Sequence, residues 1–186
     1  MRHTMCLGGI TILLFLIDGV TGALLMFYYV PSPAEAYQST VAISTTVPYG
    51  NLIRNMHRLA AEGMVITVIL HMARVIITGS YKPPRELNWI VGVLLLLSTL
   101  AFSFTGYLLP WDQLSYWAIT IGTGMADVVP LIGSNILLLL RGGPEVGAAA
   151  LIRFYALHVF VLPILVLIGI SFHIYKVRKQ GISRPL

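Results

Sequence analysis

The chain has 186 residues, of which 57% are hydrophobic and 10% are charged, and its mean hydropathy is +0.85. These values exclude an ordinary soluble domain and are typical of an integral membrane protein. The net charge of +5 does not indicate nucleic-acid binding, because the basic residues flank the apolar runs instead of forming a soluble basic segment. The single cysteine excludes an internal disulfide framework.

Four apolar runs are long enough to cross the membrane as helices, which takes about 20 residues each. In chain order they are Cys6–Tyr29, Met56–Thr78, Leu87–Leu109 and Ala148–Tyr175. We therefore predict an all-α membrane protein, a four-transmembrane-helix bundle in which residues 1–186 form a single domain.

The connections between these runs differ in character. The second is short and contains Pro83 and Pro84, which predicts that the helices it joins are antiparallel neighbours. The first and third are longer, and in the third the segments 112–130 and 132–143 predict two short helices at the membrane interface. Lysine and arginine are concentrated in the short loop and in the C-terminal tail. The positive-inside rule therefore predicts that both termini lie on the cytoplasmic or stromal side, called the n-side here, opposite the p-side.

Four histidines lie inside two of the predicted spans. His57 and His71 are 14 residues apart in the second, and His158 and His173 are 15 apart in the fourth. At 100° per residue each pair shares one helix face, and its members are separated by roughly 21 to 22 Å along the axis. Both spans run from the p-side to the n-side, so the first members of each pair share one level and the second members another. One such histidine is as readily explained by an interhelical hydrogen bond, but two matched pairs favour two b-type haems with two axial histidines each.

Glycines occur at a related spacing in the other two predicted helices. Gly8 and Gly22 lie in the first and Gly92 and Gly106 in the third, and each pair is 14 residues apart. Glycine lets a flat macrocycle approach a helix closely. Gly8 and Gly92 fall at the n-side haem level, and Gly22 and Gly106 at the p-side level. Small residues also favour ordinary helix packing in membranes.

Two arginines stand one helical turn outward from the predicted ligands of the second span. Arg54 precedes the p-side histidine by three residues, and Arg74 follows the n-side histidine by three. We predict that they bind the anionic haem propionates, although simple snorkelling to the interface is an alternative. Arg58 either shares the p-side role or pairs with Glu62, four residues further on.

Several segments resemble the cytochrome b6 family, the b subunit of cytochrome b6f and of the related split menaquinol:cytochrome c reductases. They are CLGGIT, RNMHR, ILHMARV, KPPRELNW, TGYLLPWDQ, RFYALH and RKQGISRPL. The resemblance runs from about Cys6 to the C-terminus, and the 15-residue histidine spacing resembles this branch rather than cytochrome bc1.

The resemblance implies a subunit of a quinol:cytochrome c or plastocyanin oxidoreductase, which has no catalytic residue of its own and is inactive alone. In the implied Q-cycle, quinol is oxidised on the p-side, and one electron crosses the two haems to reduce quinone on the n-side. The implied partners are a subunit IV-like protein that supplies the remaining cytochrome b helices, a Rieske-type iron–sulfur protein, a c-type cytochrome and membrane lipid. The complex is expected to be homodimeric, to bind no nucleic acid, and to lie in a bacterial plasma membrane or a thylakoid.

The resemblance also implies individual sites. It implies a third haem, of c type, covalently attached at Cys6, where the sequence alone would indicate only an apolar packing residue. For quinone binding it implies, on the p-side, Tyr107, Pro110, Trp111, Asp112 and Trp117, and on the n-side, Arg178 and Lys179.

Two residues depart from the family pattern. Asp18 stands where a neutral polar residue is usual, and Glu62 where a small one is usual. Acids at membrane depth commonly face the bundle or a proton path, and one hypothesis is that Glu62 assists proton exit on the p-side.

Two other functions remain open: a dihaem membrane anchor that exchanges electrons between a dehydrogenase and quinone, and a haem-free scaffold or transporter.

Overall fold

The computed structural model describes residues 6–181, and all regular secondary structure within them is helical. The long helices are α1 (Leu7–Met26), α3 (Gly50–Ile77), α4 (Glu86–Leu108) and the pair α7 (Ala148–Ala156) and α8 (Leu162–Gln180), which a π-helical turn, Leu157–Val161, joins without a break. The shorter helices are α2 (Ala36–Thr45), α5 (Gln113–Asp127) and α6 (Gly133–Arg141).

Within residues 6–181, four helical stretches are long and apolar enough to cross a membrane: α1, α3, α4 and the continuous stretch Ala148–Gln180. They coincide with the four predicted spans, so the predicted all-α fold with four transmembrane helices is confirmed. Many large apolar side chains on these helices are exposed, among them Leu13, Leu16, Ile66 and Ile168. Hydrocarbon is as apolar as these side chains, and their exposure therefore needs no covering protein.

The two short helices predicted in the long third connection are present as α5 and α6. Asp112 begins α5 as its N-cap, and its carboxylate accepts hydrogen bonds from the backbone N–H and the hydroxyl of Ser115, both at 2.8 Å. Gly142 ends α6 in the left-handed conformation with φ of 79°. Arg141, the last residue of α6, donates hydrogen bonds to Thr123 Oγ1 (2.6 Å) and the Thr120 carbonyl (2.8 Å) on α5.

The described residues divide into two compact units. The first consists of residues 6–20, 56–103 and 162–181, and the second of residues 21–55 and 104–161. In the first unit Phe15, Met64 and Val166 form a buried cluster from three helices, and Leu95 of α4 packs against it. In the second unit the buried cluster is Leu108, Ile119, Ala150 and Phe154.

Candidate cofactor-binding site

The two histidines predicted at the n-side level face each other within the first unit. The ring centres of His71 on α3 and His173 on α8 are 6.4 Å apart, and the ring planes are inclined by 77°. Two imidazoles that bind one metal ion from opposite sides, with metal–nitrogen bonds of about 2 Å, have ring centres about 6 Å apart. The spacing of the two rings therefore fits the two axial positions of one haem iron.

The described residues add no further cluster of metal-binding side chains to this pair. Among residues 6–181 no group of three or more His, Cys, Asp or Glu side chains could hold a metal ion. A metal held by His71 and His173 needs in-plane ligands from elsewhere, which a porphyrin supplies. The buried Nδ1 of His173 makes no hydrogen bond of good geometry, although the ring interacts with the backbone of Asn88.

Glycines lie against both imidazoles of the pair. A Cβ added to Gly8 would lie 3.4 Å from Cε1 of His71, and one added to Gly92 would lie 3.5 Å from Cε1 of His173. These are ordinary contact distances, so the histidines alone do not require glycine at either position. Gly8 therefore lies against His71 and Gly92 against His173, and the role of both glycines in admitting a haem stays a prediction.

His57, also in the first unit, lies beside an acidic residue of α1. Its Nδ1 is 3.6 Å from Oδ1 of Asp18, and the backbone carbonyl of Asp18 accepts a hydrogen bond from the ring. A ligating histidine is commonly fixed in this way, with one nitrogen bound to a carbonyl or carboxylate and the other turned to the metal.

His158 lies in the second unit and is held there by α4. Thr105 Oγ1 and His158 Nδ1 are 3.0 Å apart, within hydrogen-bond distance. A Cβ on Gly106 would lie only 2.7 Å from Cε1 of His158, so a larger residue at this position would force the imidazole to shift. The other predicted p-side glycine, Gly22, is half-buried in the part of α1 that belongs to the second unit. The pairing of His57 with His158 stays a prediction from the sequence.

The π-helical turn explains the longer histidine spacing in the fourth span. His158 lies in this turn, and a π turn holds about one residue more than an α turn. The 15-residue step to His173 therefore advances the helix about as far as 14 α-helical residues would. The spacing on α3 is 14, so the π turn that contains His158 accommodates the one extra residue of the fourth span.

The three predicted propionate arginines have different environments. Arg54 Nη1 donates a hydrogen bond to Ser44 Oγ at 3.0 Å. Arg58 forms an exposed ion pair with Glu62 at 2.8 Å, which is the alternative that the i,i+4 spacing offered. Within residues 6–181 the side chain of Arg74, in the last turn of α3, makes no hydrogen bond or ion pair, and its guanidinium is available to an anion.

Two of the predicted p-side quinone residues line a cavity of about 220 Å³ in the second unit. Its walls include Thr40, Ser44, Arg54, Pro110 and Asp112. The cavity thus joins hydroxyls of α2 with one cation and one carboxylate.

The other three predicted p-side residues do not line this cavity. Trp111 packs against the buried cluster of the second unit, while Tyr107 and Trp117 are half exposed or more. On the n-side, Lys179 lies over the ring of Tyr175 at 5.9 Å, and both Lys179 and Arg178 are exposed in the last turn of α8. Cys6 is exposed directly before α1, with φ of 50°.

Two residues of this site were not predicted as such. Thr105 has no sequence signal of a site, since a threonine in an apolar helix commonly bonds its own backbone and nothing in the sequence pairs it with a histidine. Asp18 was noted as an unusual acid, but its partner was not predicted. The sequence does contain a signal for its position, because Asp18 is four residues from Gly22 and is therefore expected near the level of the p-side histidines.

The sequence is similar to those of known proteins. A profile of the family described as Cytochrome b/b6/petB matches residues 1–181. Cytochrome b6 of Porphyra purpurea is 52% identical over 181 residues, and that of Tupiella akineta 51%; each alignment covers 97% of this chain and 84% of the relative. Cytochrome b6 of Synechococcus elongatus is 51% identical over the same shares.

Among solved structures, a chain described as hyperthermophilic respiratory Complex III matches with a TM-score of 0.88 and 35% identity. The match covers 100% of this chain and 50% of that one, so the chain spans half the length of this structural relative. The chain belongs to the cytochrome b6 family, whose members are transmembrane haem proteins of electron transport.

Proposed function

We propose that this chain is the b6-type cytochrome b subunit of a quinol:cytochrome c or plastocyanin oxidoreductase and carries electrons across the membrane in a Q-cycle. The observation that carries the proposal is the pair His71 and His173, with ring centres 6.4 Å apart and a glycine against each ring. Such a site suits a bis-histidine haem and has no evident use in a haem-free scaffold or transporter.

In this proposal His71 and His173 hold the n-side haem b, and His57 and His158 hold the p-side haem b. A b haem supplies reversible one-electron transfer when bound. The protein orients the ligands: Asp18 and Thr105 each lie beside Nδ1 of a p-side histidine, which would leave Nε2 to bind the iron.

The charged residues near the helix ends receive the propionates in this proposal. Arg74 offers a guanidinium with no partner among residues 6–181, and Arg54 is bound only by a neutral hydroxyl. Either can form a bidentate pair with a carboxylate at little loss of existing contacts. Arg58 is already neutralised by Glu62, so we assign it no propionate.

Quinol is proposed to be oxidised on the p-side, near the cavity that includes Arg54, Pro110 and Asp112. One electron passes to a Rieske-type iron–sulfur protein and on to a c-type cytochrome, and the other passes through the two haems. Quinone is reduced on the n-side near Cys6, Arg178 and Lys179, where a third haem attached to Cys6 takes part. A subunit IV-like protein supplies further helices of the p-side pocket, and both termini face the n-side.

A haem analysis of the protein purified in its complex tests this proposal. We expect a redox difference spectrum and a pyridine haemochrome assay to give two b haems, and haem staining of a denaturing gel to mark a band at the mass of this chain. His71→Ala should remove one b haem, whereas His3→Ala, the matched change at the fifth histidine, should remove none. If His71→Ala keeps both b haems, the ligand assignment fails.

The covalent haem and the Q-cycle have separate tests. Cys6→Ser should abolish the stained band and leave both b haems, and an unstained wild-type band would refute the attachment. A dihaem anchor of a dehydrogenase would contain the same b haems. It would, however, lack sensitivity to p-side quinol-site inhibitors and to antimycin-like n-side inhibitors, which the proposed complex should have.

A further inference from the structure

The acid in the middle of α1 is directed at a predicted haem ligand. Oδ1 of Asp18 lies 3.6 Å from Nδ1 of His57, and the side chain of Asp18 is only 12% exposed. Glu62 is the other acid within these spans that the family pattern does not explain. Its side chain is 53% exposed and forms an ion pair of 2.8 Å with Arg58. Asp18 therefore differs from a solvated or snorkelling acid, since its carboxylate is turned toward an imidazole.

The backbone and the side chain of Asp18 make distinct contributions at this nitrogen. The backbone carbonyl accepts a hydrogen bond from the ring of His57, and any residue at position 18 could supply that acceptor. In its ionised form the carboxylate would add a negative charge on the side of the ring away from the nitrogen that would bind iron. A carboxylate behind a ligating histidine fixes the ring and increases the basicity of the ligand.

We propose that Asp18 is a positioning residue for His57 and that its carboxylate lowers the reduction potential of the haem which His57 holds. This inference rests on the proposed function. The oxidised haem iron carries one more positive charge than the reduced iron, so a nearby negative charge stabilises the oxidised form. A haem of lowered potential on the p-side passes its electron more readily to the haem between His71 and His173.

The test is an equilibrium redox titration of the two b haems in the purified complex, carried out on wild type, Asp18→Asn and Asp18→Glu. Asp18→Asn keeps the backbone carbonyl and the shape of the side chain but removes the charge. We expect the p-side haem to become easier to reduce by about tenfold in its equilibrium constant, which is ~59 mV for one electron. Asp18→Glu, which keeps the charge, should return the potential toward that of wild type.

The n-side haem in the same sample is the internal control, and its potential should not move in either variant. Unchanged potentials for both haems in Asp18→Asn would overturn the inference, and so would equal shifts of both haems or equal shifts in Asp18→Asn and Asp18→Glu. If Asp18→Asn binds less haem, Asp18→Gln provides a second neutral side chain. Loss of the p-side haem from both amides would overturn a role in tuning and indicate a role in retention.

Failure of the underlying proposal is distinguishable from failure of this inference. A wild-type complex without two b haems refutes the function before any variant is made. A wild-type complex with two b haems and no difference in Asp18→Asn refutes only the role of Asp18. The low-spin electron paramagnetic resonance signal of the p-side haem gives a further readout, because a ring released from α1 changes its orientation and the signal with it.

Discussion

The substitution Gly106→Ala tests the contact between α4 and His158. The new Cβ would lie 2.7 Å from Cε1 of His158, whereas ordinary contact begins at 3.4 Å, so the ring must move by about 0.7 Å. The distance of 3.0 Å between Thr105 Oγ1 and His158 Nδ1 would then exceed a good hydrogen bond. Overpacking costs ~1–3 kcal/mol and the lost hydrogen bond about 1 kcal/mol, while alanine regains about 1 kcal/mol of helix propensity. The net expected destabilisation is ~1–3 kcal/mol.

A graded series of glycine substitutions separates this contact from a general effect of alanine. A Cβ at Gly9 meets nothing within 4 Å, and one at Gly92 meets His173 at 3.5 Å. We expect Gly9→Ala to leave the midpoint of thermal unfolding in detergent and the content of b haem unchanged. Gly106→Ala should lower both, and Gly92→Ala should lower haem content while leaving the haem-free fold intact. If Gly106→Ala matches Gly9→Ala in haem spectrum and midpoint, the close contact that we describe at His158 does not exist.

Three further perturbations probe the second unit. Asp112→Ala should destabilise α5 by ~1 kcal/mol through loss of its N-cap, measured by hydrogen exchange of the first turn, with no change expected for Asp112→Ser. Arg141→Lys should weaken the hydrogen bond to Thr123 and the attachment of α6 to α5, and faster limited proteolysis of this hairpin would report it. Tyr29, beyond the end of α1, donates a hydrogen bond of 2.6 Å to the Leu109 carbonyl, and burial raises its pKa above the ordinary value of 10.0. Because Tyr29 ionises at a lower pH in the unfolded chain, the free energy of unfolding should fall as the pH rises above 10.0. Tyr29→Phe should lower the free energy of unfolding by about 1 kcal/mol at neutral pH and should make its decrease above pH 10.0 less steep. An equally steep fall in Tyr29→Phe would contradict this.

The spans were predictable because hydrocarbon imposes both their length and their composition. The ends of the helices were less predictable, because an apolar run stops at the first polar residues whereas a helix can continue through them. The run beginning at Met56 lies in a helix that begins at Gly50, and its first turns carry Asn51 and Arg54. Backbone hydrogen bonds still stabilise the helix in these first turns, although their polar side chains no longer favour a lipid environment. The short helix α2 was missed for a related reason, because its sequence AYQSTVAIST is rich in β-branched and hydroxyl residues with low helix propensity.

The candidate site was predictable where it depends on helical period and unpredictable where it depends on contacts across helices. The spacing of His57 and His71 on one face of α3 follows from 3.6 residues per turn. The π turn at His158 does not follow from the helical period, because one additional residue in a helical turn has no sequence signature of its own. Side-chain pairs such as Thr105 with His158 join residues 53 apart and become visible only when the helices are assembled.

A carboxylate lies beside one histidine of α3 and a guanidinium interacts with the other, and in the proposed function this asymmetry bears on the direction of electron transfer. His57 has the carboxylate of Asp18 at 3.6 Å, whereas His71 interacts electrostatically with Arg74, three residues further along the helix. A negative charge beside one haem favours its oxidised form, and a positive charge beside the other favours its reduced form. In the proposed function both effects would favour transfer of an electron from the p-side haem to the n-side haem. A propionate bound to Arg74 would cancel part of the positive charge, so Asp18 should make the larger contribution, and its removal should narrow the difference in potential between the two haems.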